Sequence, residues 1–157
     1  MEELMLKSTI KVAQLEELTT TEQALIHSAI EATDNSYAAY SHFHVGAAVR
    51  LENGEVIIGC NQENVSFGAG TCAERAAIFA AGAKYPDIPI EKIAIAARKP
   101  DGDLQEMPIS PCGICRQVMV EVETRYHRPI QILLYGTKEI YVIDGIKELM
   151  PLSFTDF

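Results

Sequence analysis

Three of the four cysteines in this chain fall in two short stretches, Cys72-Ala-Glu74-Arg75 and Pro111-Cys112-Gly-Ile-Cys115-Arg116-Gln117. A Cys-x-x-Cys pair and one distant Cys offer three thiolates to a single ion. Zinc suits such a set: structural zinc sites close their tetrahedron with four protein ligands, whereas catalytic ones keep a position for water. Glu74, two residues after Cys72, is the candidate to take and return that water's protons. Cys112 and Cys115 are three apart and share one face of a first helical turn. Pro111 suits a helix start, and Cys72 opens the alanine-rich residues 73–83, which read as a second helix. Two helix starts would aim the positive ends of their dipoles at the thiolates. Three thiolates also leave a divalent ion net negative and weaken its Lewis acidity. Arg75, three residues after Cys72, can sit beside the sulfur and offset that charge. A Cys-x-x-Cys pair alone also fits a redox motif or half a zinc ribbon; the Cys-x-Glu-Arg stretch favours the catalytic alternative.

The elements that must carry these residues alternate between helix and strand. Thr19-Thr20-Thr21-Glu22 offers cap-like residues, and Ala24, Leu25, Ala29 and Ala32 then recur at helical spacing up to Asp34-Asn35. His27, on that helix, reads as a surface or packed histidine. Residues 45–51 read as a strand, Glu52-Asn53-Gly54-Glu55 as a hairpin turn, and residues 56–59 as the returning strand. Residues 93–97 form a short apolar strand of the buried kind. The helix from Cys112 turns Val118, Met119 and Val122 inward, strands follow at 130–135 and 140–143, and Pro151 stops a short helix at 145–151. Asn61 and Glu63, two apart just beyond a strand end, share a face of an extended chain. They can grip two neighbouring hydroxyls together, or serve a polar loop that caps itself. Cys60 reads as a small core residue, because a fourth thiolate would close the metal.

Composition narrows the partners. A net charge of −9 makes nucleic acid and anionic membranes poor ones. No run of about 18 apolar residues is present, so no membrane span is expected, and the first 18 residues lack a signal-peptide core. Three cysteines committed to metal argue for a reducing cytoplasm. Residues 1–157 are expected to form one domain, with residues 1–20 as an N-terminal extension.

Four ordered motifs carry a resemblance: Tyr-Ala-x-Tyr-Ser-x-Phe-x-Val-Gly-Ala-Ala (37–48), Gly-Cys-Asn-x-Glu-Asn (59–64), Cys-Ala-Glu-Arg (72–75) and Pro-Cys-Gly-x-Cys-Arg-Gln (111–117). Together they resemble cytidine deaminase in its short, homotetrameric, three-cysteine form, and a Cys-x-Glu…Pro-Cys-x-x-Cys pattern is shared among zinc nucleobase deaminases. The resemblance implies an α/β fold, a three-layer α/β/α sandwich around a five-stranded mixed sheet. It implies hydrolytic deamination of cytidine and deoxycytidine in pyrimidine salvage, with one Zn²⁺ on Cys72, Cys112 and Cys115. Glu74 would be the proton shuttle and Arg75 the charge balance. Asn61 and Glu63 would hold the ribose hydroxyls, Phe43 would pack on the pyrimidine, and the carbonyl of Ala73 would help hold the base. The segment from Leu149 to Phe154 looks like the family's C-terminal Leu-x-Pro-x-x-Phe, whose ring reaches a base bound in a neighbouring subunit. From the residues alone, Phe154 equally fits packing within its own chain. The partners implied are a small-molecule nucleoside and three further copies of the chain. Phe67 stands where many relatives carry a tyrosine, so a hydroxyl is missing there. A blasticidin-type deaminase and a structural zinc module are the alternatives. The Asn-x-Glu-Asn motif favours a free ribose over the first, and the second needs a fourth ligand that neither His42, His44 nor Cys60 clearly supplies.

Overall fold

A computed structural model describes residues 1–155. Its sheet is built from β1 (Lys11–Ala13), β2 (His44–Leu51), β3 (Val56–Cys60), β4 (Ile90–Arg98), β5 (Gln131–Tyr135) and β6 (Ile140–Asp144). The strand order is β1-β6-β5-β4-β2-β3, with β4 and β5 parallel and every other pair antiparallel. The sheet therefore has six strands where five were expected. The additional strand is β1, from the stretch read as a mere extension, which pairs with β6 along Lys11–Val142, Val12–Tyr141 and Ala13–Ile140.

Three helices cover the sheet: α1 (Thr20–Ala32), α2 (Ala73–Lys84) and α3 (Gly113–Tyr126). Alternation along the strands sorts the core into two layers. Ile93, Ile95, Ile132 and Leu134 face α2 and α3, where they meet Ala77, Ile78, Ala81 and Met119. Ala94, Ala96 and Leu133 face the other way and pack on Leu25, Ile26 and Ala29 of α1. Helices on both faces give the expected three-layer sandwich. Residues ahead of α1 join the second layer, since Ala13, Leu15 and Leu18 pack against it.

Two glycines set how closely the helices approach. A Cβ on Gly46 would stand 2.1 Å from the Ala29 carbonyl oxygen of α1, and one on Gly59 would stand 2.6 Å from the Ala73 carbonyl oxygen of α2. Any side chain at Gly59 would push away the start of α2, where Cys72 sits. The helices begin differently. Thr19 caps α1 through a capping box with Glu22, whereas the first residues of α2 and α3 follow Cys72 and Cys112, whose side chains make no cap bond. The apolar pattern at 145–151 yields only a 3₁₀ turn, Ile146–Glu148, before Pro151.

An ion pair between the buried Glu22 and the half-buried Lys92 binds α1 to the sheet. Lys92 Nζ lies 2.7 Å from Glu22 Oε1 and donates to Gln131 Oε1 at 2.7 Å. Burial alone would raise the Glu22 carboxyl, but bonds from Lys92 and Thr19 outweigh it and hold it below the usual carboxylate range. Ionised Glu22 thus favours the fold above that range, and the contribution is lost as pH falls through the lowered value. Lys92→Met, which leaves the buried carboxylate without its cation, should destabilise the protein by about 1–3 kcal/mol in urea titrations at neutral pH. Adding Glu22→Gln should recover much of the loss; equal stability of Lys92→Met and wild type would refute the pair's role.

Candidate active site

Two loops deliver their last residue to a helix start and so bring three sulfurs together. Cys72 and Cys112 occupy the N-cap positions of α2 and α3 in extended conformation, and Cys115 lies in the first turn of α3, buried. The sulfurs of Cys72 and Cys112 are 3.8 Å apart and those of Cys112 and Cys115 are 3.4 Å apart. All three lie within 4.8 Å of one another. Thiolates about 2.3 Å from one tetrahedral ion stand roughly 3.8 Å apart, so the triad fits a zinc ion with little adjustment. Cys60 lies elsewhere. It is half-buried instead of belonging to the core as expected, because its thiol turns to the Asn35 carbonyl oxygen at 3.2 Å. His27 is exposed, as expected, and neither His42 nor His44 joins the triad.

The surroundings of the sulfurs set their charge. A hydrogen bond from the Cys115 thiol, the largest influence, lowers Cys72 to about 5 against burial, assisted by Arg75 and Cys112. Cys115 is pushed up, by the same Cys72 bond first and then by burial and the Glu74 charge. A bound metal would hold both deprotonated. Arg75 Nη2 stands 3.9 Å from Cys72 Sγ, and Arg75 Nε is buried with no hydrogen-bond partner among the described residues. A negative metal centre would receive that orphan charge.

Glu74 is only 4 % exposed. Burial raises its carboxyl, and the Cys72 charge adds to the rise, while its own backbone N–H and the Cys115 thiol oppose it. The result is a carboxyl inclined to hold a proton beside the sulfur triad. Ala73 also lies at this helix start. Its carbonyl oxygen is turned toward Gly59, so the Ala73 group that the first helical turn leaves without an intrahelical partner is its N–H. That departs from the expectation that the carbonyl faces the base.

A cleft of about 630 Å³ opens over these groups. Phe43, Asn61, Glu63, Cys72, Ala73, Glu74, Arg75 and Cys112 all line it, so the structure gathers most of the residues singled out in the sequence. Asn61 and Glu63 also hold their own loop. Asn61 accepts from Val45 N at 2.8 Å and donates to the Phe43 carbonyl at 2.9 Å. Glu63 accepts from the Ser41 hydroxyl and from Tyr40 N at 2.8 Å, bonds that keep its carboxyl below the usual range. Each side chain retains capacity for a further partner. Two aromatic residues not assigned to the site from sequence join the cleft: Tyr40, and Phe67, which is 86 % exposed and meets the Tyr40 ring edge-on at 6.4 Å. Ring-rich loops are a weak signal, and only the folded chain brings these two together. Phe154 does not line the cleft of its own chain. Its side chain is 67 % exposed, and its carbonyl oxygen accepts from Gln117 Nε2 at 3.0 Å.

Residues 19–127 match the cytidine and deoxycytidylate deaminase zinc-binding region. The chain belongs to the cytidine deaminase family. A cytidine deaminase of Halalkalibacterium halodurans is 44 % identical over 136 residues, covering 85 % of this chain and 93 % of the relative. The blasticidin-S deaminase of Bacillus cereus is 32 % identical, covering 83 % and 90 %. Among solved structures, cytidine deaminase from Burkholderia pseudomallei aligns with a TM-score of 0.73 at 36 % identity, over 87 % of this chain and all of that one. Family membership makes this chain a hydrolytic deaminase.

The charge pattern can be read directly. With metal removed, Cys72 should alkylate at a rate nearly flat from about pH 8 to about pH 6, because a thiol near 5 is already ionised there. Arg75→Gln should steepen that profile. Peptide mass spectrometry after iodoacetamide labelling measures both; a Cys72 rate falling tenfold per pH unit across this range contradicts the assignment.

Proposed function

We propose that the protein deaminates cytidine and deoxycytidine to uridine and deoxyuridine, with one zinc ion on Cys72, Cys112 and Cys115. The observation that carries this reading is a buried Glu74 carboxyl beside a cluster of three convergent sulfurs, with Glu74, Cys72 and Cys112 lining one cleft. Zinc held there would supply Lewis-acid activation of water. Glu74 takes a proton from water as the water oxygen bonds to C4 and passes it to the ring nitrogen. It then carries a second from the new C4 hydroxyl to the amino group, which leaves as ammonia as the C4–N bond breaks. Arg75 balances the thiolate charge, and Phe43 packs on the pyrimidine. The Ala73 N–H, which has no intrahelical partner, donates to the base carbonyl in this reading. Asn61 and Glu63 receive the ribose hydroxyls with the hydrogen-bonding capacity their loop leaves over.

Among the described residues lining the cleft, Arg75 is the one lysine or arginine, and it is committed to sulfur. A nucleoside is therefore preferred to its monophosphate. The chain is read as one domain acting in the cytoplasm in pyrimidine salvage. Among the described residues no helix is long and apolar enough to cross a membrane, and the acidic charge disfavours nucleic acid. Exposed apolar residues near the cleft and the C-terminal segment, Val65, Phe67, Ile114 and Phe154 among them, support a homotetramer in which Phe154 serves a neighbour's site.

Ammonia release from cytidine should appear with zinc-loaded protein and vanish with a chelator. Glu74→Gln should retain zinc and lose about 10²–10⁴-fold in kcat; near wild-type turnover would remove Glu74 from the reaction. Blasticidin S and cytidine monophosphate, tested alongside, should be poorer substrates, and a better rate on either would reassign the pocket.

Mixing tests the shared site. Chains carrying Phe154→Ala and chains carrying Glu74→Gln should, after subunit exchange, recover activity above either parent. A mixture shown to have exchanged but giving only the parental average would place Phe154 in its own chain's packing.

A further inference from the structure

Cys112 reaches the metal triad at the end of a long connection. Between β4 and α3 the chain forms no helix or longer strand, only a single bridge from Arg98 to Leu104. Cys112 itself makes no side-chain cap bond that would fix its backbone. Something else must hold the residues just before it.

Arg116 does so from inside the helix that Cys112 opens. Its Nε donates to the Pro111 carbonyl oxygen at 2.9 Å, and Nη2 donates to Ser110 Oγ at 2.8 Å. The third nitrogen, Nη1, donates to the Leu149 carbonyl oxygen at 2.9 Å. All three guanidinium nitrogens are thus engaged, each on a different acceptor, and the planar fork fixes the acceptors relative to one another. Two of them belong to the approach to Cys112. The third belongs to the segment after the Ile146–Glu148 turn, which is itself secured by Thr9 N donating to Glu148 Oε2 at 2.6 Å. Among the described residues Arg116 makes its hydrogen bonds to these three oxygens, whereas Arg75 makes one to the Cys72 sulfur.

We propose that Arg116 is a positioning residue for the metal centre. By clamping Ser110 and Pro111 against Leu149, it holds the Cys112 sulfur where Cys72 and Cys115 can share its ion. Residues one step behind metal ligands commonly change metal affinity by about 10–100-fold, and this clamp acts on the most exposed of the three ligands. The inference rests on the zinc reading given above.

The test is zinc release from intact, zinc-loaded protein to a chromogenic chelator, with circular dichroism confirming the fold. Arg116→Ala should release zinc about ten- to a hundredfold faster than wild type. Arg116→Lys keeps the charge and the stem but lacks the fork, so it should fall between the two; it carries the test if the alanine variant does not fold. Arg125→Ala is the control: Arg125 is on the same helix but donates to the Pro86 carbonyl at 2.8 Å, away from the triad, and should release zinc at the wild-type rate. Folded Arg116 variants that release at the wild-type rate would overturn the proposal, as would equal acceleration by Arg125→Ala. A wild-type chain that takes up no zinc would overturn this inference and the zinc reading together. A zinc-bearing chain inactive on cytidine would overturn only the substrate reading, and the release rates would still decide Arg116.

Discussion

The convergence of two helix N-termini on three sulfurs is the constraint that most of this structure serves. Thr19 at α1 spends its side chain on the first helical turn, but Cys72 and Cys112 at α2 and α3 do not. Their side chains face one another instead, and the positive ends of two helices bear on them. That arrangement requires α2 to lie close to β3, which Gly59 permits. It also requires α3 to start at a fixed point beside α2, although a long connection precedes it. Arg75 reaches toward the Cys72 sulfur, Arg116 bonds the residues just before Cys112, and Glu74 is buried at the start of α2.

Burial has a double consequence at this centre. It makes Glu74 hold a proton more tightly, and it places the carboxyl where little water can compete for that proton. The same desolvation would be unfavourable for three neighbouring thiolates without a cation. In the metal-free chain the strain is relieved unevenly: Cys72 carries charge most readily, while Cys115 retains its proton. Asn61 and Glu63 show the opposite economy, since both are largely occupied in shaping the loop that presents them. The bonds seen for these two residues are those of a polar loop that caps itself.

Local signals in the sequence were sufficient for most elements. The Thr19–Glu22 capping pattern, the Asn53-Gly54 turn and the alternating strands all act over a few residues, and each appears close to its expected place. The clustering of Cys72, Cys112 and Cys115 was legible because spacing and residue type suggest it without tertiary information. What escaped was long-range. Three residues of β1 have no periodicity to read, and their strand character comes from pairing with β6, which is more than a hundred residues away. The 3₁₀ turn at Ile146–Glu148 fell short of a helix because Pro151 follows so soon. Arg116 looked like an ordinary residue of a motif; its acceptors at Ser110, Pro111 and Leu149 are neighbours only after folding. Cys60 lost its core assignment to a nearby carbonyl that no spacing rule reveals.

The pairing of β1 with β6 bears on how the molecule behaves among other copies and other proteins. Without β1, the edge of the sheet at β6 would present four apolar or aromatic residues, Ile140, Tyr141, Val142 and Ile143, as an open template for strand addition. Covered, the edge passes to a strand of only three residues beginning with Lys11, whose ammonium pairs with Asp144 at 2.5 Å. A short edge with a lysine on it is a poor template. β1 therefore covers an edge that would otherwise be open to strand addition. Removing the residues ahead of α1 should expose β6 to pairing with strands of other chains.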